Sequence, residues 1–210
     1  MSATEPAPGS RKAMAAQTEI ALKEAARRVF ARSGYLNAKI TDITAEAGRS
    51  AGSFYKHFAS KQEVLQALLN DWLAQAGEEL SVHEAGDDLS NEPALRARVA
   101  AYWQTYKAHL PEILALGQAA IVEPGFAERL AQIRYGQLQV MREHLSRLSA
   151  AGIELPGDPA VLASAFNALL EGFCGVWIAG GGEPIGRALG DDEAIDTLTG
   201  LLHHGLAGRG

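Results

Sequence analysis

The densest run of chemically capable side chains lies between Thr41 and Lys61. Ser50, Ala51, Gly52 and Ser53 are small, and Tyr55, Lys56, His57 and Lys61 follow with phenol, ammonium and imidazole groups. A segment small near its start and donor-rich near its end can bring its backbone close to a nucleic-acid groove. Elsewhere the chemistry is sparse. No Gly-x-Ser-x-Gly, His-Glu-x-x-His or Walker sequence occurs, and Gly180-Gly-Gly182 lacks the Lys-Ser/Thr of a phosphate loop, so no enzymatic activity is expected. His203 and His204 are neighbours facing different sides of a helix, which argues against a metal site, and no cofactor is expected. The single cysteine, Cys174, lies in an apolar run where a thiol packs more often than it reacts.

The elements that must hold these donors can be read from periodicity and caps. Leu22, Ala26, Val29 and Phe30 repeat at three and four, and Gly34 ends the run, which predicts a first helix from Gln17. Thr41 is a good N-cap for a short second helix over 42–47, closed by Gly48. Ser50 caps another short helix running to His57. Two short helices joined by a glycine turn make a helix-turn-helix, because the steep angle leaves no room for a bulky Cβ. Phe54 and Phe58 share a face, with Ile43 and Ala47 as expected partners, and belong to the core. Ser60 then caps a long helix with the stripe Val64, Leu65, Leu68, Leu69, Trp72 and Leu73.

The net charge of −6 taken alone disfavours a nucleic-acid partner, but its distribution does not. Residues 10–61 hold ten Lys or Arg against four acids, whereas residues 62–210 hold nine against twenty. One end suits phosphate and the other repels it. A basic face formed by Arg27, Arg28 and Arg32 is read as solvated.

The stretch from Thr41 through Ala47-Gly48 to Gly52-Ser-Phe-Tyr-Lys-His-Phe-Ala-Ser-Lys61 resembles the DNA-binding domain of the TetR family of bacterial regulators, without a gap over residues 17 to about 75. The resemblance implies that Thr41, Tyr55, His57 and Lys61 contact phosphates. It further implies that Ser50, Ala51, Gly52, Ser53 and Lys56 face the groove or base edges. Arg49 departs from the pattern, which carries Val after the turn glycine, and Thr44 stands where Ala is frequent. Arg49 either snorkels out of the small core or adds a phosphate contact.

The expected domains are a disordered basic arm (1–14) bearing Arg11 and Lys12, the helix-turn-helix domain (15–62), a connecting helix (63–82) and a helical body (83–210). Helical segments are predicted near 93–109, 111–121, 124–150, 158–178 and 191–207, with a polar junction at Ser81–Glu92, giving an all-α fold of about nine helices. Val161, Leu162, Ala165, Phe166, Leu169, Leu170, Phe173, Val176 and Trp177 exceed an ordinary core stripe, so the last two helices are expected to form a homodimer, as the resemblance also implies. Trp103, Tyr106, Phe126, Tyr135, Met141, Phe166 and Trp177 are the bulky candidates to line an effector pocket, with His109, Gln118, Asn167 and Glu171 as polar anchors. The bulky apolar set predicts a small, largely apolar effector, and the resemblance implies that this effector releases a repressor from double-stranded operator DNA. No run of eighteen residues avoids charge and polarity and no leader is evident, so a cytoplasmic protein without a membrane partner is expected.

Overall fold

The computed structural model describes residues 8–83, 91–182 and 187–206, with the backbone alone for 8–11, 75–83 and 206. Among the described residues there is no strand. The helices are α1 (Pro8–Asn37), α2 (Ile40–Ala47), α3 (Ala51–Phe54), α4 (Lys61–His83), α5 (Glu92–Ala108), α6 (Leu110–Val122), α7 (Pro124–Ala150), α8 (Pro159–Cys174), a π-helical turn (Gly175–Ala179) and α9 (Asp191–Leu206). The all-α expectation holds, and the later helices begin within two residues of their predicted starts. Most of the polar junction lies outside the described residues.

Two compact units arise. One takes the chain to Ala76 together with Pro111–Val122, and the other takes Gly77–Leu110 and Glu123 onward. The expected boundary near residue 83 therefore does not separate them, because α6 belongs with the first unit.

In the first unit, α1 starts well before Gln17. The expected arm covers residues 1–14, yet residues 8–14 are helical. Pro8 at the first helical position and Ala13, Ala15 and Ala16 explain the extension, since proline fits the start of a helix and alanine favours its interior. Gly34 interrupts the helix with φ 70 and ψ 162, a conformation confined almost entirely to glycine. Leu22, Val29, Ile43, Phe54, Val64, Leu65 and Leu69 are fully buried and form the core. Trp72 and Leu73, at the end of the predicted stripe, are only half-buried. Helix α6 adds Ala115, Leu116 and Ala119 to the buried apolar set. It also adds a buried carboxylate, Glu112, whose Oε1 accepts from Arg27 Nε at 2.5 Å. Burial lowers the Arg27 pKa, but Glu112 outweighs it and the net shift is upward. Close by in sequence, Gln118 Oε1 accepts from the Leu36 amide at 3.4 Å.

In the second unit α7 packs on α8 and α5 on α9. Asp158 caps α8 through the amides of Ala160 and Val161. Leu95, Val99, Leu145, Leu170, Cys174 and Leu198 lie in its core. Pro159–Ala179, which is α8 with its π-helical turn, has a mean hydropathy of 1.6 over an 18-residue window and is long and apolar enough to cross a membrane. Average hydropathy thus reaches the level of a span even though Ser164, Asn167 and Glu171 interrupt the run.

Candidate DNA interface

Helix α2 is capped at Lys39 and not at Thr41. The Lys39 amide donates to Asp42 Oδ2 at 3.2 Å, which places Thr41 inside the first turn with its side chain exposed. Asp42, three residues beyond the cap, accepts from the cap residue's own amide, as the third helical residue of a capping box does. Gly48 then turns the chain in the left-handed region (φ 60, ψ 38), with its amide on Ala45 O at 3.1 Å and the Arg49 amide on Thr44 O at 2.9 Å. Ser50 caps α3 as expected, its Oγ accepting from the Ser53 amide at 3.1 Å. Beyond Phe54 the chain continues as a turn, closed by the His57 and Phe58 amides on Phe54 O, so the recognition segment is a short helix plus one turn.

This geometry sorts the side chains. Phe54 is fully buried and Phe58 nearly so, their rings 5.9 Å apart. Ala51, Gly52, Tyr55 and Lys56 are exposed, whereas Ser53 and His57 are half-buried. Tyr55 stands edge-on to Phe54 at 5.5 Å, which fixes its ring while leaving the residue 59 % exposed. Thr44 is buried, its hydroxyl on Thr41 O at 3.1 Å, so the small core accepts it without an orphan donor. Arg49 is exposed and takes no part in that core.

Lys61 differs from the other expected contacts. Its ammonium donates to the carbonyls of Tyr35, Leu36 and Ala38 at 2.7, 3.3 and 3.1 Å and lies 4.5 Å from the centroid of the Tyr35 ring. It binds carbonyls left open where α1 ends. Of the basic face on α1, Arg28 and Arg32 converge on Glu46 of α2, whose carboxyl they hold below its ordinary range. That face is paired as well as solvated.

The expected effector residues fall into separate places. Trp103, Tyr106, Phe126, Met141 and Phe166 are buried in the second unit, with His109, Asn167 and Trp177 half-buried. Tyr135 is 65 % exposed, and Glu171 is exposed and ion-paired with Arg134. Gln118 belongs to the first unit. Phe173, absent from the predicted set, links Trp103 and Trp177 at centroid distances of 6.0 and 6.1 Å. Trp103 Nε1 donates to Asp191 Oδ1 at 2.9 Å, and Lys107 Nζ meets the same oxygen at 2.7 Å. Lys107 first and Trp103 next hold Asp191 down to about 2. Burial pushes the Cys174 thiol up to about 12, which suits packing and not reaction.

Comparison with known proteins agrees with the helix-turn-helix reading of the first unit. The model for bacterial regulatory proteins of the tetR family matches residues 22–68. The chain is 35% identical over 79 residues to the HTH-type transcriptional regulator TtgR of Pseudomonas putida, covering 38% of this chain and 33% of that protein. The match thus spans about a third of the curated relative. Among solved structures, AibR in complex with isovaleryl coenzyme A and operator DNA superposes with a TM-score of 0.71 at 23% identity, covering 89% of this chain and 98% of that one. A transcriptional regulator from Saccharomonospora viridis in complex with choline gives a TM-score of 0.73 at 20% identity, covering 92% and 100%. At these identities the two structures speak for the fold alone. The helix-turn-helix geometry and the family match converge: residues 22–68 form a helix-turn-helix of the kind found in bacterial regulatory proteins of the tetR family, and the chain shares the all-helical fold of these solved structures.

Proposed function

We propose that the protein is a dimeric, ligand-responsive transcriptional repressor, a family role that requires no enzymatic chemistry. The observation that carries the DNA-binding part is the Gly48 turn, with its left-handed backbone, presenting a segment whose small residues are outward and whose aromatic rings are inward. Thr41, Ser50, Ala51, Gly52, Ser53, Tyr55, Lys56 and His57 form the duplex-facing surface. Lys61 serves that surface from behind by fixing the end of α1 against the start of α4.

Dimerisation through α8 and α9 is supported by apolar surface that the second unit leaves uncovered. Val161 is 66 % exposed, Leu169 37 %, Val176 39 % and, on α9, Leu201 58 %. Ala165, Ala168 and Gly172 are exposed in the same stripe of α8, and such small residues let a second helix approach closely. Ala168, Leu169, Gly172, Phe173, Val176 and Trp177 line a shallow groove of about 260 Å³ there. A symmetry-related copy covers this face better than lipid does, because half-buried Asn167 and exposed Glu171 on its flank would remain wet at a dimer rim.

The effector is a small, largely apolar molecule, a reading supported by the buried Trp103, Tyr106, Phe126, Met141 and Phe166 of the second unit. AibR was captured with an acyl coenzyme A and operator DNA, which shows both ligand types on this fold. An effector that prefers a conformation with the two recognition segments wrongly spaced must weaken DNA binding by the same factor. The test is a titration against promoter fragments from the gene's own neighbourhood: selective, salt-sensitive binding supports the reading, and equal weak binding to all fragments defeats it.

A further inference from the structure

The first unit has a net basic character, but most of its cations are already engaged. Lys23 pairs with Glu19 and Asp71, and Arg27 with Glu24 and Glu112. Arg28 and Arg32 share Glu46, and Lys61 is held by three carbonyls. Lys12, Lys39, Arg49 and Lys56 remain, all exposed and none in an ion pair among the described residues. Lys12 sits near the start of α1, and the other three at the start of α2, at the α2–α3 turn and in the turn after α3. Three of these four un-neutralised charges therefore lie on the helix-turn-helix itself.

Arg49 is the informative member. The turn places it between left-handed Gly48 and the Ser50 cap, where its side chain has left the core. Among the described residues its guanidinium hydrogen-bonds only to the Gly48 carbonyl, at 3.4 Å, a long exposed bond that water or an anion readily replaces. A guanidinium offers several donors in a planar fork that fits phosphate oxygens, which the valine of the family pattern cannot do. We infer that Arg49 grips a backbone phosphate of the bound duplex beside the recognition segment, adding one phosphate contact to those the family pattern supplies. The contact fixes position and is indifferent to base sequence.

This inference rests on the DNA-binding reading, and one experiment separates the two. A fluorescent random-sequence 30-bp duplex is titrated with the full-length wild type, Arg49→Val, Arg49→Gln, Arg49→Lys and Lys23→Gln across 50–200 mM KCl, with thermal melts confirming that each is folded. Each phosphate contact contributes about 0.9 to the slope of log affinity against log salt. Both neutral variants should lower the slope by about that amount, so that their affinity falls roughly threefold less than the wild type's across this range. Arg49→Lys and Lys23→Gln should retain the wild-type slope. A wild-type slope in both folded neutral variants overturns the inference and leaves the regulator reading intact. A wild type that binds no duplex at any salt overturns both.

Discussion

Neighbouring residues in the recognition segment have opposite duties, and mutation should separate them. Phe54→Ala removes a fully buried ring and should destabilise the protein by about 3–5 kcal/mol, measured by denaturant unfolding. Tyr55→Ala removes an exposed one and should leave stability within about 0.5 kcal/mol while sharply weakening DNA binding. Lys61→Ala belongs with Phe54 and not with Tyr55. Losing its charged hydrogen bonds to three carbonyls should cost about 1–3 kcal/mol, with little change in the salt dependence of binding. The sequence showed which residue types cluster here, and the core assignment of Phe54 and Phe58 followed from their spacing. It did not show where the Lys61 ammonium turns, because its acceptors are backbone carbonyls more than twenty residues away that no side-chain pattern encodes.

At the level of elements, periodicity made α5 to α9 legible, since each presents a repeating apolar face bounded by Pro, Gly or Asp. What joins them was less visible. Asp191 is read in sequence as one acid among three at the start of α9, yet it receives Trp103, Gln104 and Lys107 from α5. Its depressed pKa means that its contribution is present above the unfolded value near 3.8 and is lost as pH falls through about 2. Because its side chain is 41% exposed, screening keeps that contribution to about 1 kcal/mol or less. Asp191→Asn should therefore lower the urea midpoint near pH 6, and the gap to wild type should narrow as pH falls from 4 toward 2. The outer face of α8 makes a separate prediction. Leu169→Arg places charge on an exposed stripe, so the chain should stay folded but sediment as a monomer where the wild type sediments as a dimer.

For the whole molecule, charge and architecture point the same way. The excess of basic residues in the first sixty positions and of acids thereafter was plain in the sequence, and so was the all-helical class. The grouping of α6 with the first unit was not, because it involves a half-buried Arg27 paired with buried Glu112 and a Gln118 contact, both of which span more than eighty residues. The effector residues were the least legible, since an aromatic at helical spacing looks the same whether it fills a core or lines a pocket. In the proposed function the exposed surface of the α2–α3 segment reads operator DNA. Its most direct test is the affinity of wild type and Tyr55→Ala for promoter fragments flanking the gene, measured over a salt series. Wild type should bind one fragment over the others tightly, saturably and salt-sensitively, and a folded Tyr55→Ala should lose that binding. Equal affinity for every fragment, or selective binding that Tyr55→Ala leaves unchanged, would contradict it.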